Sequence, residues 1–199
     1  MSNEMQLNVW NVTEKLCEGR VIKIYGQINT QVALEVTSLL DVLSSDDQAA
    51  PIKLEICTPG GSVLDGNAIV DKILEIPNPV IGYIKGYAAS MGTAIAAACD
   101  YVFISKNAYT MIHELSSGTE GKFRVMKAAV DFDEKLNKKL MTFIGKKCHN
   151  RSYEEIMKIA EQDFWQDAEE TVAFGLADAI APEAKKNNKS LQEYLKENK

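Results

Sequence analysis

A chain of 199 residues suits one domain of ordinary size. With 46% hydrophobic and 25% charged residues it reads as globular and soluble, and a net charge of −6 without a basic block argues against a nucleic-acid binder. No apolar run reaches the roughly 18 residues that a bilayer span needs, and Met1-Ser2-Asn3-Glu4 lacks the basic and hydrophobic regions of a signal peptide, so a cytoplasmic protein is expected.

Arg20 to Gln27 alternates apolar and polar residues, as a strand does. Thr30 to Ser44 carries Val32, Leu34, Val36, Leu39, Leu40 and Leu43 at helical spacing. Pro51 to Thr58 reads as a second strand, running into the sharp turn Pro59-Gly60-Gly61. Leu64 to Ile76 is a helix and Pro79 to Lys85 a third strand. Gly86-Tyr87-Ala88-Ala89-Ser90-Met91-Gly92 follows, then a short small-residue helix and a strand-like segment, Tyr101 to His113. Alternating strands and helices imply α/β layering. The pattern then turns helical: Lys122 to Lys147 is one long stretch with Phe123, Met126, Val130, Leu136, Leu140 and Ile144 as apolar residues. Ser152-x-x-Glu155 and Asp167-x-x-Glu170 have the capping-box pattern, and Gly175 closes the helix that ends at Phe174. The Lys-rich residues 185–199 also hold Glu193 and Glu197 and read as a solvated tail.

Cys17, Cys57, Cys99 and Cys148 are widely spaced, with no C-x-x-C pair, so reduced thiols are expected and no metal site or cofactor. The strongest chemical signal is Ala88-Ala89-Ser90-Met91-Gly92. Small neighbours allow a tight strand-to-helix turn that pushes a hydroxyl outward, and the helix start offers unpaired N–H groups. Ala88 replaces the first glycine of G-x-S-x-G, and Ser90 as a plain helix N-cap explains the same residues about as well. Gly60 and Gly61 let backbone N–H groups approach a ligand, and the Gly61 and Met91 N–H groups are the natural pair for an oxyanion hole. The bland alternative is an ordinary glycine turn. Only two histidines exist. His149 sits at a polar helix end, where it caps or is solvated. His113 ends a buried strand, a suitable place for a general base.

Taken together, Pro59-Gly60-Gly61, Gly86-x-Ala88-Ala89-Ser90-Met91-Gly92 and Met111-Ile112-His113 resemble the Clp protease proteolytic subunit. Gly61 and Ser90 are 29 residues apart, and Ser90 and His113 are 23 apart. Gly19-Arg20-Val21-Ile22, Gly26-Gln27 and the motif from Asp163 through Ala168, Glu170, Gly175-Leu176 and Asp178 extend the similarity over residues 13–182.

The resemblance implies a single domain over residues 1–199 with the α/β spiral fold shared with the crotonase superfamily. It also implies a protruding long-helix handle at about residues 115–150 and a polar tail at about 183–199. It implies a serine endopeptidase in which Ser90 is the nucleophile, His113 the base and Asp163 the orienting acid, with Gly61 and Met91 as oxyanion donors. Asp167, which with Asp163 stands at the junction of two predicted helices, is the alternative acid, but its position suits a helix N-cap. The family works as a homo-oligomer, two heptameric rings stacked into a tetradecamer, with hexameric AAA+ unfoldases threading polypeptides into the chamber. ATP belongs to that partner, because this chain has no G-x-x-x-x-G-K-[ST].

The chain departs from the family in two places. Glu114-Leu115 stands where Gln-Pro is usual, and about a dozen residues precede the first matched stretch, fewer than the family's axial pore segment. Both departures suit a divergent or phage-encoded member. Three rival readings are an acyl-CoA enzyme of crotonase type, a catalytically silent ring subunit, and a Ser–Lys peptidase using Lys85. The first does not need the Ser90, His113 and Asp163 set, all three residues are present against the second, and Lys85 lies mid-strand.

Overall fold

The structure is a computed structural model and describes residues 9–183. The tail at 184–199 lies outside the described residues. The described residues open on a helix that periodicity did not reveal, α1 (Val9–Glu18). Then β1 (Val21–Tyr25), α2 (Thr30–Asp46), β2 (Ile52–Thr58), α3 (Val63–Glu75), β3 (Val80–Ala89), α4 (Met91–Ala98) and β4 (Tyr101–Ile104) alternate as expected. The second half holds β5 (Tyr109–Ile112), α5 (Phe123–Lys147), α6 (Tyr153–Ala160), β6 (Phe164–Gln166), α7 (Ala168–Phe174) and β7 (Ala179–Ile180).

The strands β1, β2, β3, β4 and β7 lie side by side in that order, all parallel. Their period of two sends Ile22, Ile24, Ile52, Leu54, Ile56, Val80, Ile84, Val102 and Ile104 to one face, where all are buried against the helices. The other face is amphipathic. Lys53 bonds Glu55 at 2.8 Å and stands over the Tyr83 ring, which stacks on Phe103 with centroids 5.0 Å apart.

β3 is longer than the sequence pattern suggested, because it continues through Gly86 to Ala89. Its first half pairs with β4 and its second half with β5. Between them Gly86 takes φ +70°, where a side chain would be strained and would also meet Cys57 Sγ. The segment read as one strand, Tyr101 to His113, is accordingly two strands split by a turn in which Ala108 N–H bonds Ser105 C=O at 2.8 Å. This fork carries β5 away from the main sheet, and β6 adds to it antiparallel.

Helix starts follow local chemistry. Asn29 caps α2 by accepting from Val32 N–H at 3.0 Å, and Ser62 caps α3. Both expected capping boxes are present, Ser152 with Glu155 and Asp167 with Glu170. Gly175 closes α7 in the left-handed conformation. Only the C-terminal part of α5 packs on the core, through Leu140, Met141 and Ile144. Its N-terminal part projects, exposing Phe123, Val125, Val130 and Phe132.

Candidate active site

Ser90 lies between β3 and α4 with φ +54° and ψ −121°, a backbone conformation that a residue with a Cβ rarely adopts. As a helix N-cap it fails, because its side chain makes no capping bond. The hydroxyl instead lies 2.8 Å from His113 Nε2. Sheet register explains the meeting. Ala89 pairs with Met111 in parallel, and Ser90 N–H donates to Met111 C=O at 2.9 Å. His113, two residues beyond Met111, then reaches back to the elbow.

β6 brings in the carboxylate. It pairs antiparallel to β5 with Ile112 opposite Phe164, so the next positions, His113 and Asp163, face each other. His113 Nδ1 lies 3.7 Å from Asp163 Oδ1, close enough for charge attraction and too long for a hydrogen bond. The Asp163 side chain is 64% exposed and that of His113 24%.

The glycine turn abuts the elbow. A Cβ on Gly60 would stand 2.7 Å from Ser90 Cβ and 2.9 Å from Met91 N. Gly60 and Gly61 have φ of +92° and +148°, both in the region that favours glycine. Gly60 C=O accepts from Ile28 N–H and Ser62 N–H donates to Ile28 C=O, at 2.8 and 3.0 Å. Those bonds aim the intervening Gly61 N–H away from Ile28. Met91 is the first residue of α4, and its N–H is an orphan donor by helix geometry. The buried start of α4 therefore presents a positive dipole end beside the Ser90 hydroxyl.

With this geometry in place, comparison with known proteins is specific. The Clp protease family model matches residues 3–184. The ATP-dependent Clp protease proteolytic subunit of Streptococcus gordonii is 35% identical over 174 residues, 86% of this chain and 89% of that protein. The subunit of Streptococcus suis is 35% identical over 184 residues, 88% and 91% of the two chains. That of Lactococcus lactis subsp. cremoris is 34% identical over 175 residues, 86% and 87%. The chain belongs to the Clp protease family. With the family comes the enzyme class, a serine-type peptidase.

The remaining polar residues near the Clp protease motifs have other employment. Asp167 caps α7, accepting from Glu170 N–H at 2.9 Å, and lies four residues past Asp163, roughly 13 Å along a strand. His149 packs against Gly175 and places Nε2 3.3 Å from Ala173 C=O, so it serves the end of α7. Lys85 follows Tyr83 on the outer face of β3, five residues before the elbow.

A cleft of about 440 Å³ opens beside His113, lined by Glu114, Leu115, Ser117, Glu161 and Asp163 among others. Glu114-Leu115 begins an irregular segment there. Asn137 Oδ1 accepts from Leu115 N–H at 2.9 Å, and Asp133 accepts from Ser117, so α5 holds this segment in place. Neither Asn137 nor Asp133 stood out in the sequence. A polar pair four residues apart on an amphipathic helix reads as solvated surface.

Proposed function

We propose that this chain is a serine endopeptidase that hydrolyses peptide bonds of unfolded or threaded polypeptides with Ser90, His113 and Asp163. The observation that carries this reading is the 2.8 Å approach of Ser90 Oγ to His113 Nε2 at a strained, uncapped elbow. His113 takes the hydroxyl proton through Nε2 as Ser90 Oγ attacks the carbonyl carbon. The Gly61 and Met91 N–H groups stabilise the tetrahedral oxyanion. His113 then protonates the leaving amine, and water, activated by the same imidazole, releases the acyl group from Ser90. Asp163 stabilises the imidazolium at each transfer. An acyl-CoA reaction on the same fold would not call for this hydroxyl–imidazole contact.

We also read the chain as a self-assembling subunit. Exposed Phe123, Val125, Val130 and Phe132 on the projecting half of α5 supply apolar surface for a second copy. Two heptameric rings joined through this handle would enclose the active sites, and a hexameric AAA+ unfoldase would deliver substrate. The four unpaired cysteines suit a reducing cytoplasm. The test is hydrolysis of a fluorogenic peptide by the purified chain beside its Ser90→Ala variant. Turnover abolished by the substitution supports the reading, and equal turnover by both proteins overturns it.

A further inference from the structure

We propose that Thr58 is a positioning residue for the oxyanion hole, its hydroxyl engaging the Gly60 N–H so that the Gly61 N–H is the one presented to substrate. The inference rests on Ser90 being the nucleophile and names what orients the groups around it. Thr58 is fully buried at the end of β2. Its Oγ1 donates to Gly26 C=O at 2.6 Å and accepts from Gly60 N–H at 3.0 Å. The hydroxyl is thus a strut between the end of β1 and the glycine turn.

Ile28 N–H already holds the Gly60–Gly61 peptide through Gly60 C=O at 2.8 Å, and Thr58 holds the Pro59–Gly60 peptide that precedes it. Gly60 and Gly61 have no side chains of their own to fix the peptide on either side of Gly60, and both sit at positive φ. Without the hydroxyl, Gly60 N–H becomes a buried donor without a partner, a state that favours rotation of the Pro59–Gly60 peptide. Rotation of that Pro59–Gly60 peptide would pass through the flexible Gly60 φ and ψ to Gly61 N–H, leaving only the Gly60 C=O bond to Ile28 N–H to resist it. The Thr58 methyl has a second contact. It packs so closely on Gly92 that any side chain there would collide with it. Gly92 lies in the first turn of α4, next to Met91. One residue therefore touches the neighbours of both candidate donors, its hydroxyl on Gly60 and its methyl beside Gly92, and the hydroxyl is the part that holds a donor's orientation.

The test uses the full chain with Thr58→Val, which keeps the shape and removes the hydroxyl, and Thr58→Ser, which keeps the hydroxyl. Steady-state kcat and KM are measured on a fluorogenic peptide, alongside inhibition by a peptide aldehyde, whose hemiacetal oxygen occupies the hole. Loss of a whole oxyanion donor costs about 10²–10³ in kcat, so a misdirected one is expected to cost about 10- to 100-fold in Thr58→Val. KM should move less than about threefold, aldehyde inhibition should weaken in step with kcat, and Thr58→Ser should recover most of the loss. If the valine variant does not fold, Thr58→Ala is read in the same way. The proposal is overturned if kcat survives within about threefold, if the loss lies in KM alone, or if serine fails to rescue. Such a failure leaves the Ser90→Ala result untouched, so it is distinct from failure of the peptidase reading.

Discussion

Asp163→Asn removes the charge opposite His113 while keeping the side chain's size. At 3.7 Å a unit charge pair is worth about 1 kcal/mol in bulk water and about 4.5 kcal/mol at an effective dielectric of 20. Those limits correspond to about 7-fold and about 2000-fold in rate if the imidazolium forms in the transition state. The carboxylate is 64% exposed and makes no hydrogen bond to the ring. The loss in kcat/KM should therefore be about 10- to 100-fold, well short of the roughly 10⁴-fold cost of a buried triad aspartate. Asp167→Asn is the control. Its carboxylate caps α7, and Asn caps equally well, so activity should stay within about twofold. The assay is kcat/KM on a fluorogenic peptide for both variants, compared at matched thermal stability. A severe loss in Asp167→Asn with near-normal Asp163→Asn would refute the assignment and the register argument beneath it.

Three other perturbations test separate parts of the structure. Gly60→Ala puts a Cβ 2.7 Å from Ser90 Cβ at positive φ. Strain and overpacking together should cost about 2–5 kcal/mol, read as a fall in Tm of about 5–15 °C, with loss of labelling by a fluorophosphonate. Val130→Glu with Phe132→Glu places charge on the exposed apolar face of α5 and should split the assembly, so unchanged sedimentation would remove the handle interface. Burial pushes the Cys99 and Cys148 thiols up from 9.0 to about 12. Native alkylation at pH 8 should then modify Cys17 and Cys57 first. Because the folded state keeps thiol protons that the unfolded chain releases, these groups' contribution to stability should fall between pH 9 and about 12 in an alkaline unfolding series.

Much of the fold was legible because its strands are strongly patterned. β2 alternates over Ile52, Leu54 and Ile56, all buried, with Lys53 and Glu55 less buried on the other face. The motifs around Gly61 and Ser90 also lie in short local turns, where sequence and geometry are tightly bound, and His113 directly follows β5. What was not legible depends on partners distant in sequence. β6 and β7 have three and two residues, too few for any period, and exist because β5 and β4 offer edges. The fork in β3 hangs on one glycine inside an apolar run. α1 begins Val-Trp-Asn-Val-Thr, poor helix formers, so propensity hid it. Helix amphipathicity also misled at a single position: Leu34 is more than half exposed. The sequence pattern sets Asp163 at a junction of two helices, whereas it follows α6 and enters a strand whose pairing sets its distance to His113.

The most direct measurement of the central claim is peptide-mapped mass spectrometry after treatment with a fluorophosphonate, on the wild-type chain and on His113→Ala. Ser90 Oγ sits 2.8 Å from His113 Nε2, so one adduct per chain is predicted, on the peptide containing Ser90, formed orders of magnitude more slowly without the imidazole. An active wild-type preparation that hydrolyses peptides yet carries its adduct elsewhere, or labels Ser90 at the same rate without His113, would contradict the account.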